Sequence, residues 1–301
     1  LNQAHSPLTA VQAIVMDKHF MLEQTVSHRA DMYPKFNGTA GIWRHACITD
    51  AGGWKDDTVC EDLCLSTRAI LNGWKFHFLP DVVTPGELPT SMTAYKNQQA
   101  RWAKGSLQCL LKFGSDIAAD HQHSLGSRLY GLISMSGYLA HLFLLIALLL
   151  QIPLIYLRYE FSSIFIFFTI AGFGQPLLFI MGQQLIHPNW LSRLRHLPAL
   201  MVVTLGIGPA VTRAIFQIFF QDEHPFIRTP KGQPQQPQKA PRRLDGYRLP
   251  FDNIVMVEIG LALYAAVGVI LAVSQRFWEP LFLLILGFIG YSYVAFLSLR
   301  E

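Results

Sequence analysis

Residues 98–102 read Gln98-Gln99-Ala100-Arg101-Trp102, and the first of several long apolar runs follows from Leu129. The pentapeptide falls within a helical pattern that extends from Met92 to about Phe113. On a helix Gln98, Arg101 and Trp102 are spaced at i, i+3 and i+4, so they share one face. A polar helix face directly before apolar segments predicts a site at a membrane surface.

The composition divides the chain into two portions. Of its 301 residues, 51% are hydrophobic and only 15% are charged, whereas soluble domains average about 25% charged residues. Charges recur every few residues in 1–125, and the long apolar runs lie in 126–301. We therefore predict a cytosolic portion followed by a membrane domain. Residues 1–125 carry no basic face, which argues against a nucleic-acid partner.

Four apolar runs are long enough to cross a hydrocarbon core about 30 Å thick. They are residues 129–157, 164–186, 254–273 and 277–299. A fifth segment, 190–220, is interrupted by Pro198 and by Gly206-Ile207-Gly208-Pro209. The loops on both sides of it are basic, and both can be cytoplasmic only if 190–220 does not cross. We therefore predict interfacial or re-entrant helices there, and a multi-pass protein of the plasma (inner) membrane with a cytoplasmic C-terminus.

The cytosolic portion alternates between helical and extended patterns. Ser6-Pro7 is a helix start, and the apolar spacing continues to about Arg29. Glu61 to Asn72 predicts a helix that Gly73 ends, and Lys75 to Leu79 alternates like a short strand. Such alternation favours an α/β core.

Asp62 lies in the first turn of its predicted helix, where the helix dipole favours a carboxylate. A carboxylate beside a bound sugar could accept a proton from an attacking hydroxyl. Glu61 points about 100° away around the helix, so the two acids need not share a task. Acids are also commonplace in first turns for structural reasons alone.

The side chains of the pentapeptide suit a phosphorylated sugar. A guanidinium binds phosphate oxygens through paired N–H groups, as Arg101 would. An indole such as Trp102 offers a flat apolar surface to a sugar ring, and Gln98 could bond a hydroxyl or a phosphate oxygen. The alternative is a core tryptophan beside an arginine whose head reaches the membrane interface.

The four cysteines do not form a zinc pattern, because Cys60 and Cys64 are separated by three residues without a second pair. We expect them, together with Cys47 and Cys109, to be reduced and to serve as small apolar residues.

Three motifs in order resemble the processive family 2 glycosyltransferases, which include cellulose, hyaluronan and chitin synthases and cellulose-synthase-like mannan and glucan synthases. They are Phe36-Asn37-Gly38-Thr39-Ala40-Gly41, Glu61-Asp62 and Gln98-Gln99-Ala100-Arg101-Trp102, and membrane helices follow. The resemblance implies an α/β glycosyltransferase (GT-A-like) partial domain followed by a transmembrane α-helical bundle. Asn-Gly-Thr in place of the Cys-Gly-Ser of cellulose synthases is closer to the mannan/glucan branch.

The resemblance also implies roles for individual residues. Asp62 matches the catalytic base of the family's Thr-Glu-Asp motif, with Cys60 in place of the threonine and Glu61 as the motif neighbour. Gln98 and Arg101 would meet the donor pyrophosphate. The residues that would contact the acceptor sugar are Trp102, Asn37, Gly38 and Thr39.

The segment Phe226-Ile227-Arg228-Thr229-Pro230-Lys231-Gly232 resembles the family's gating loop, which places that loop at about 222–252. Phe226, Thr229 and Lys231 match it, whereas Arg228 stands where cellulose synthases have valine. In the family an Asp-x-Asp motif binds Mg²⁺ or Mn²⁺, and no such triplet occurs in the 301 residues. We therefore expect the metal site upstream of Leu1 and a chain that is inactive alone.

The resemblance implies a membrane-embedded inverting β-glycosyltransferase. It would transfer sugar from a nucleotide-diphosphate donor, UDP-glucose or GDP-mannose, to a growing polysaccharide of β-glucan or mannan type. One alternative is a non-processive synthase that adds a single sugar to a lipid. The other is a non-catalytic membrane component.

Overall fold

A computed structural model describes residues 1–159, 172–220 and 252–301. These residues form thirteen α-helices, together with a π-helical turn (His19–Gln24) after α1 and a 3-10 turn (Leu194–His196) after α9. The helices are α1 (Pro7–Lys18), α2 (Thr25–Arg29), α3 (His45–Asp50), α4 (Glu61–Leu71), α5 (Met92–Ala119), α6 (Leu125–Ser136), α7 (Leu139–Leu157), α8 (Gly174–Ile186), α9 (Trp190–Arg193), α10 (Leu197–Gly206), α11 (Gly208–Phe220), α12 (Ile254–Ser274) and α13 (Leu281–Arg300).

The helices predicted within residues 1–125 are confirmed. Ser6 caps α1 by accepting a hydrogen bond from the Thr9 N–H, and the helical path continues to Arg29. α4 begins at Glu61, and Gly73 follows it with a φ of +86°, a conformation in which glycine avoids the strain of a side chain. α5 is longer than expected, with 28 residues.

The predicted strand at Lys75–Leu79 is wrong, because these residues are irregular in the structure. A strand exists only where its backbone pairs with a neighbour, and the described residues are helical or irregular throughout. The short alternating pattern was therefore insufficient evidence for a strand. The α/β class is not confirmed by the described part of the chain.

α4 and α5 pack against each other and are joined by a disulfide between Cys64 and Cys109. The expectation that all four cysteines are reduced is therefore wrong for this pair, while Cys47 and Cys60 are free. Packing of the two helices brings the Cα atoms of Cys64 and Cys109 within 5.9 Å, a separation at which disulfides form. Their separation of 45 residues gave no local signal for this contact.

Among the residues that the structure describes, four helical segments are long and apolar enough to cross a membrane. They are Leu139–Leu157, Trp190–Phe220, Ile254–Ser274 and Leu281–Arg300. The first differs from the expected run 129–157, because Gly137 and Tyr138 separate α6 from α7. Of the expected run 164–186, only residues 172–186 are described, and α8 covers most of them.

The segment Trp190–Phe220 lies largely inside the helical assembly. Its most apolar window is 67% buried, compared with 39% for each of the two C-terminal candidates. A methyl group built on Gly206 would lie 2.5 Å from the Gly290 carbonyl oxygen, so α10 and α13 meet at backbone distance. The interfacial placement of this segment stays a prediction.

One apolar core connects the two portions of the chain. Leu8 and Val11 of α1 and Met92 and Leu107 of α5 pack in the same cluster as Val203 of α10. α5 therefore packs directly against the apolar helices and shares their core.

Two ion pairs tie helices of this assembly together. Lys96 Nζ of α5 lies 2.8 Å from Glu258 Oε1 of α12, and the two side chains are only 2% and 0% exposed. Arg213 of α11 donates to both carboxylate oxygens of Asp252 at 2.6 Å. Breaking a buried pair strands a charge at a cost of about 3–5 kcal/mol, so Lys96 and Glu258 specify how α5 and α12 fit together.

Candidate functional site

The site is centred on Asp62, the second residue of α4. Its Oδ1 accepts a hydrogen bond of 2.7 Å from the Leu63 N–H, an orphan donor of the first helical turn. The side chain is half-buried, whereas its neighbour Glu61 is exposed. Only Asp62 therefore points toward the interior of the site.

The turn expected to contact the acceptor lies against this carboxylate. Gly38 has a φ of +69°, and a methyl group built on it would lie 2.6 Å from Asp62 Oδ2. A side chain at position 38 would thus be strained and would also collide with the carboxylate. Asn37 is held from the other side by His19, whose Nε2 lies 3.2 Å from Asn37 Oδ1.

α5 approaches the same place through Gly105. A methyl group built on Gly105 would lie 2.2 Å from Cys60 Sγ and 2.5 Å from Cys60 Cβ. The Cys60 thiol in turn lies 3.9 Å from the carbonyl oxygen of Arg101. Glycine at position 105 is what allows the helix to approach this closely.

A hydrogen bond continues this contact along α5. Gln108 Oε1 accepts from the Val59 N–H at 3.0 Å. Arg101, Gly105 and Gln108 are spaced at i, i+4 and i+7, so one face of α5 follows the segment that leads into α4. This packing brings the charge of Arg101 close enough to act on Asp62.

The surroundings of Asp62 raise the pKa of its carboxyl above the usual value. Burial is the main cause, and the negative charge of Glu61 adds to it. The hydrogen bond from the Leu63 N–H and the charge of Arg101 act in the opposite direction but do not outweigh burial. A raised pKa makes a carboxylate a stronger base, which suits proton transfer from a hydroxyl.

The remaining motif residues lie around this centre. Gln98 and Trp102 are half-buried on α5 within one turn of Arg101, and Thr39 is exposed beside Gly38. Gln99, the buried member of the pentapeptide, accepts a 3.2 Å hydrogen bond from the Tyr138 hydroxyl. The structure thus joins Asp62, Gly38 and Arg101 in one place, with Gln98 and Trp102 on the adjoining turns.

Other predicted site elements remain predictions. Phe226, Thr229 and Lys231 of the gating-like loop lie outside the described residues. Within 1–159, 172–220 and 252–301, no group of three His, Cys, Asp or Glu side chains could hold a metal ion. The Mg²⁺ or Mn²⁺ site expected from the resemblance stays a prediction.

Sequence reasoning missed four residues that shape the site: His19, Glu23, Gly105 and Gln108. For Gly105 and Gln108 a signal existed, because their spacing continues the face that carries Arg101. For His19 and Glu23 the only signal in the sequence was their i, i+4 spacing, which did not predict the contact of His19 with Asn37.

A comparison with protein families matches residues 2–181 to the family described as "Glycosyl transferase family group 2". The chain belongs to glycosyl transferase family group 2. The match contains all three motifs that form the site described above, and it confirms the family resemblance seen in the sequence.

Curated proteins of this family share about 40% identity with the chain. "Probable glucomannan 4-beta-mannosyltransferase 7" of Oryza sativa subsp. japonica is 42% identical over 134 residues, which are 44% of this chain and 23% of that protein. "Glucomannan 4-beta-mannosyltransferase 2" of Arabidopsis thaliana is 40% identical over 134 residues, 44% of this chain and 25% of the relative. "Glucomannan 4-beta-mannosyltransferase 1" of Cyamopsis tetragonoloba is 41% identical over 130 residues, with coverages of 43% and 25%.

The matched stretch therefore spans about a quarter of the length of each of these relatives.

Proposed function

We propose that this chain is part of a membrane-embedded inverting β-glycosyltransferase that extends a polysaccharide of mannan or β-glucan type. The observation that carries the proposal is the meeting of three motifs at one carboxylate. Asp62 lies against Gly38 of the acceptor turn and within the field of Arg101 on α5. Family membership supports the same reaction class.

In the proposed reaction Asp62 accepts the proton of an acceptor hydroxyl, whose oxygen attacks the anomeric carbon of the donor sugar. The bond from that carbon to the diphosphate breaks on the opposite face, so the configuration inverts. The leaving diphosphate gains negative charge, which the guanidinium of Arg101 is placed to stabilise through paired N–H donors. Gln98 would bond the same phosphates, and Trp102, Asn37 and Thr39 would line the acceptor side.

We further propose that the donor is a nucleotide-diphosphate sugar and that a divalent ion is bound by residues outside this chain. The names of the relatives favour a mannosyl donor such as GDP-mannose over UDP-glucose. The apolar helices among the described residues support a multi-pass membrane protein. We propose that it lies in the plasma membrane with the catalytic part and the C-terminus in the cytoplasm. We expect the isolated 301 residues to show no sugar-transfer activity.

A product analysis tests the proposal. The intact enzyme in lipid is incubated with radiolabelled GDP-mannose or UDP-glucose, and the product is sized and digested with linkage-specific hydrolases. We expect a β-linked polymer from GDP-mannose, released by a β-mannanase. A product carrying one sugar on lipid would identify the non-processive alternative, and no transfer from either donor would favour a non-catalytic component.

The raised pKa of Asp62 predicts the pH dependence of transfer. The base must be ionised, so kcat/KM should fall as the pH is lowered through the pKa of Asp62. Because burial raises that pKa, the fall should begin at a higher pH than for an ordinary aspartate, whose pKa is about 3.9. Initial rates measured at each pH across the acidic range test this prediction. Each sample is then returned to neutral pH to confirm that its activity recovers. A flat acid limb would contradict ionisation of Asp62 as the controlling event.

A further inference from the structure

A π-helical turn, His19–Gln24, interrupts the N-terminal helical path directly beside the site. π-Helical turns are rare and often occur where a side chain has a functional task. Here the turn carries His19 and Glu23 on one side, and the proposed reaction does not use either residue.

These two side chains form a chain of contacts that ends at the acceptor turn. His19 Nδ1 lies 2.8 Å from Glu23 Oε2, and the other ring nitrogen, Nε2, lies 3.2 Å from Asn37 Oδ1. Lys18 Nζ lies 2.6 Å from the second carboxylate oxygen of Glu23. Side-chain exposure is 23% for His19 and 38% for Glu23, so the contacts are partly shielded from water.

The ionisation of Glu23 fixes the protonation of the His19 nitrogen that faces it. Burial acts to raise the pKa of Glu23, but the hydrogen bond from His19 and the charge of Lys18 outweigh it and lower the pKa to about 2. The carboxylate is therefore ionised and can only accept hydrogen bonds. Nδ1 of His19 must therefore carry a proton. A doubly protonated ring donates from Nε2 to Asn37 Oδ1, whereas a neutral ring bonds the same amide by accepting from its nitrogen once the amide is turned over.

The residue held in this way directly precedes the glycine that lies against the carboxylate of Asp62. Asn37 directly precedes Gly38, whose backbone lies against Asp62 Oδ2. Two further hydrogen bonds hold the start of the same turn: Gln24 Nε2 donates to the Lys35 carbonyl at 2.5 Å, and Lys35 Nζ donates to the Ser134 carbonyl at 2.9 Å. The backbone is thus fixed before Asn37, and His19 fixes the Asn37 side chain.

We propose that His19 and Glu23 are positioning residues for the sugar acceptor. They act through Asn37: with one atom of its amide bonded to His19, the other polar atom is aimed at an acceptor hydroxyl beside Asp62. This inference rests on the proposed function and adds the part of the site that orients the acceptor. Loss of this positioning should lower kcat/KM for the acceptor and leave the KM for the donor unchanged.

The effect can be measured from how the donor sugar is divided between transfer to the acceptor and hydrolysis. In the intact enzyme an activated donor sugar passes either to the glycan acceptor or to water, and both products are counted in one assay. We expect His19→Ala and Glu23→Ala to lower kcat/KM for the acceptor about tenfold and to raise the hydrolysed fraction, because misoriented groups lose the advantage of alignment. The KM for the donor should stay within about twofold of the original value.

Two comparisons separate positioning from general damage. Glu23→Gln keeps an oxygen that accepts from His19, so it should restore most of the transfer that Glu23→Ala loses. His5→Ala removes an exposed histidine from the same N-terminal region and should leave the partition unchanged. Unfolding temperatures in detergent are measured for every variant.

The outcomes distinguish this inference from the proposed function. No transfer by the unmodified intact enzyme would overturn the proposed function. Normal transfer together with an unchanged partition in His19→Ala would overturn the positioning role alone. A parallel loss of donor affinity and unfolding temperature would also overturn it, because it would show a purely structural contribution.

Discussion

Replacing Asp62 with asparagine is expected to lower sugar transfer by about a thousandfold, within the range that a general base contributes. Asparagine preserves the size of the side chain, and its amide oxygen can still accept the 2.7 Å hydrogen bond from the Leu63 N–H. What it removes is the capacity to take a proton. Initial rates with saturating acceptor, measured in the intact enzyme, give the loss in kcat.

Glu61→Gln is the matched control for this substitution. Glu61 is the preceding residue in the same helical turn, and it is exposed. Substitution at an exposed position of this kind usually changes the free energy of unfolding by less than about 0.5 kcal/mol, so the fold is preserved; because Asp62 also remains, the rate at neutral pH should change by no more than about twofold. Donor binding should be preserved in both variants. Full activity of Asp62→Asn would remove Asp62 from its proposed role.

The second large effect is expected from Gly105→Ala, a change of one methyl group. That methyl would lie 2.2 Å from the sulfur of Cys60 and 3.1 Å from its backbone nitrogen, so α5 and the start of α4 must move apart. A displacement of about 1 Å between groups that act together can cost about a hundredfold in rate. We expect kcat/KM to fall by that order.

Gly114→Ala provides the same substitution on the same helix without the collision. There the nearest side-chain atoms are 3.6 Å and 3.8 Å from the added methyl, which is ordinary contact distance. Both variants gain about 1 kcal/mol of helix propensity, so the difference between them isolates the contact with Cys60. Equal activities of the two variants would show that the close approach of α5 is not required.

The sequence predicted the parts of the site that depend on local patterns. The acids in the first turn of α4 and the face of α5 with Gln98, Arg101 and Trp102 follow from helix spacing, and the structure confirms both helices. The order of motifs predicted the family. These features are readable because each is contained within a few residues.

The parts that could not be predicted depend on contacts between distant residues. The bond between His19 and Asn37 joins a π-helical turn to a loop, and a π-turn leaves no hydrophobic period by which to recognise it. The disulfide joins Cys64 to Cys109, and packing alone decides which cysteines meet. The strand predicted at 75–79 failed for the same reason, because a pairing partner cannot be read from five residues.

The buried pair of Lys96 and Glu258 has a consequence for exchanging parts between family members. A chimera that joins the first 125 residues of one enzyme to the apolar helices of another looks like a simple exchange of modules. Each parent, however, would have to supply the matching charge, since a foreign α5 without a cation at position 96 would leave the Glu258 carboxylate buried alone. Residues 1–125 can therefore be exchanged only together with this pair, and a chimera that fails to fold without it would indicate an unpaired buried charge rather than an incompatible active site.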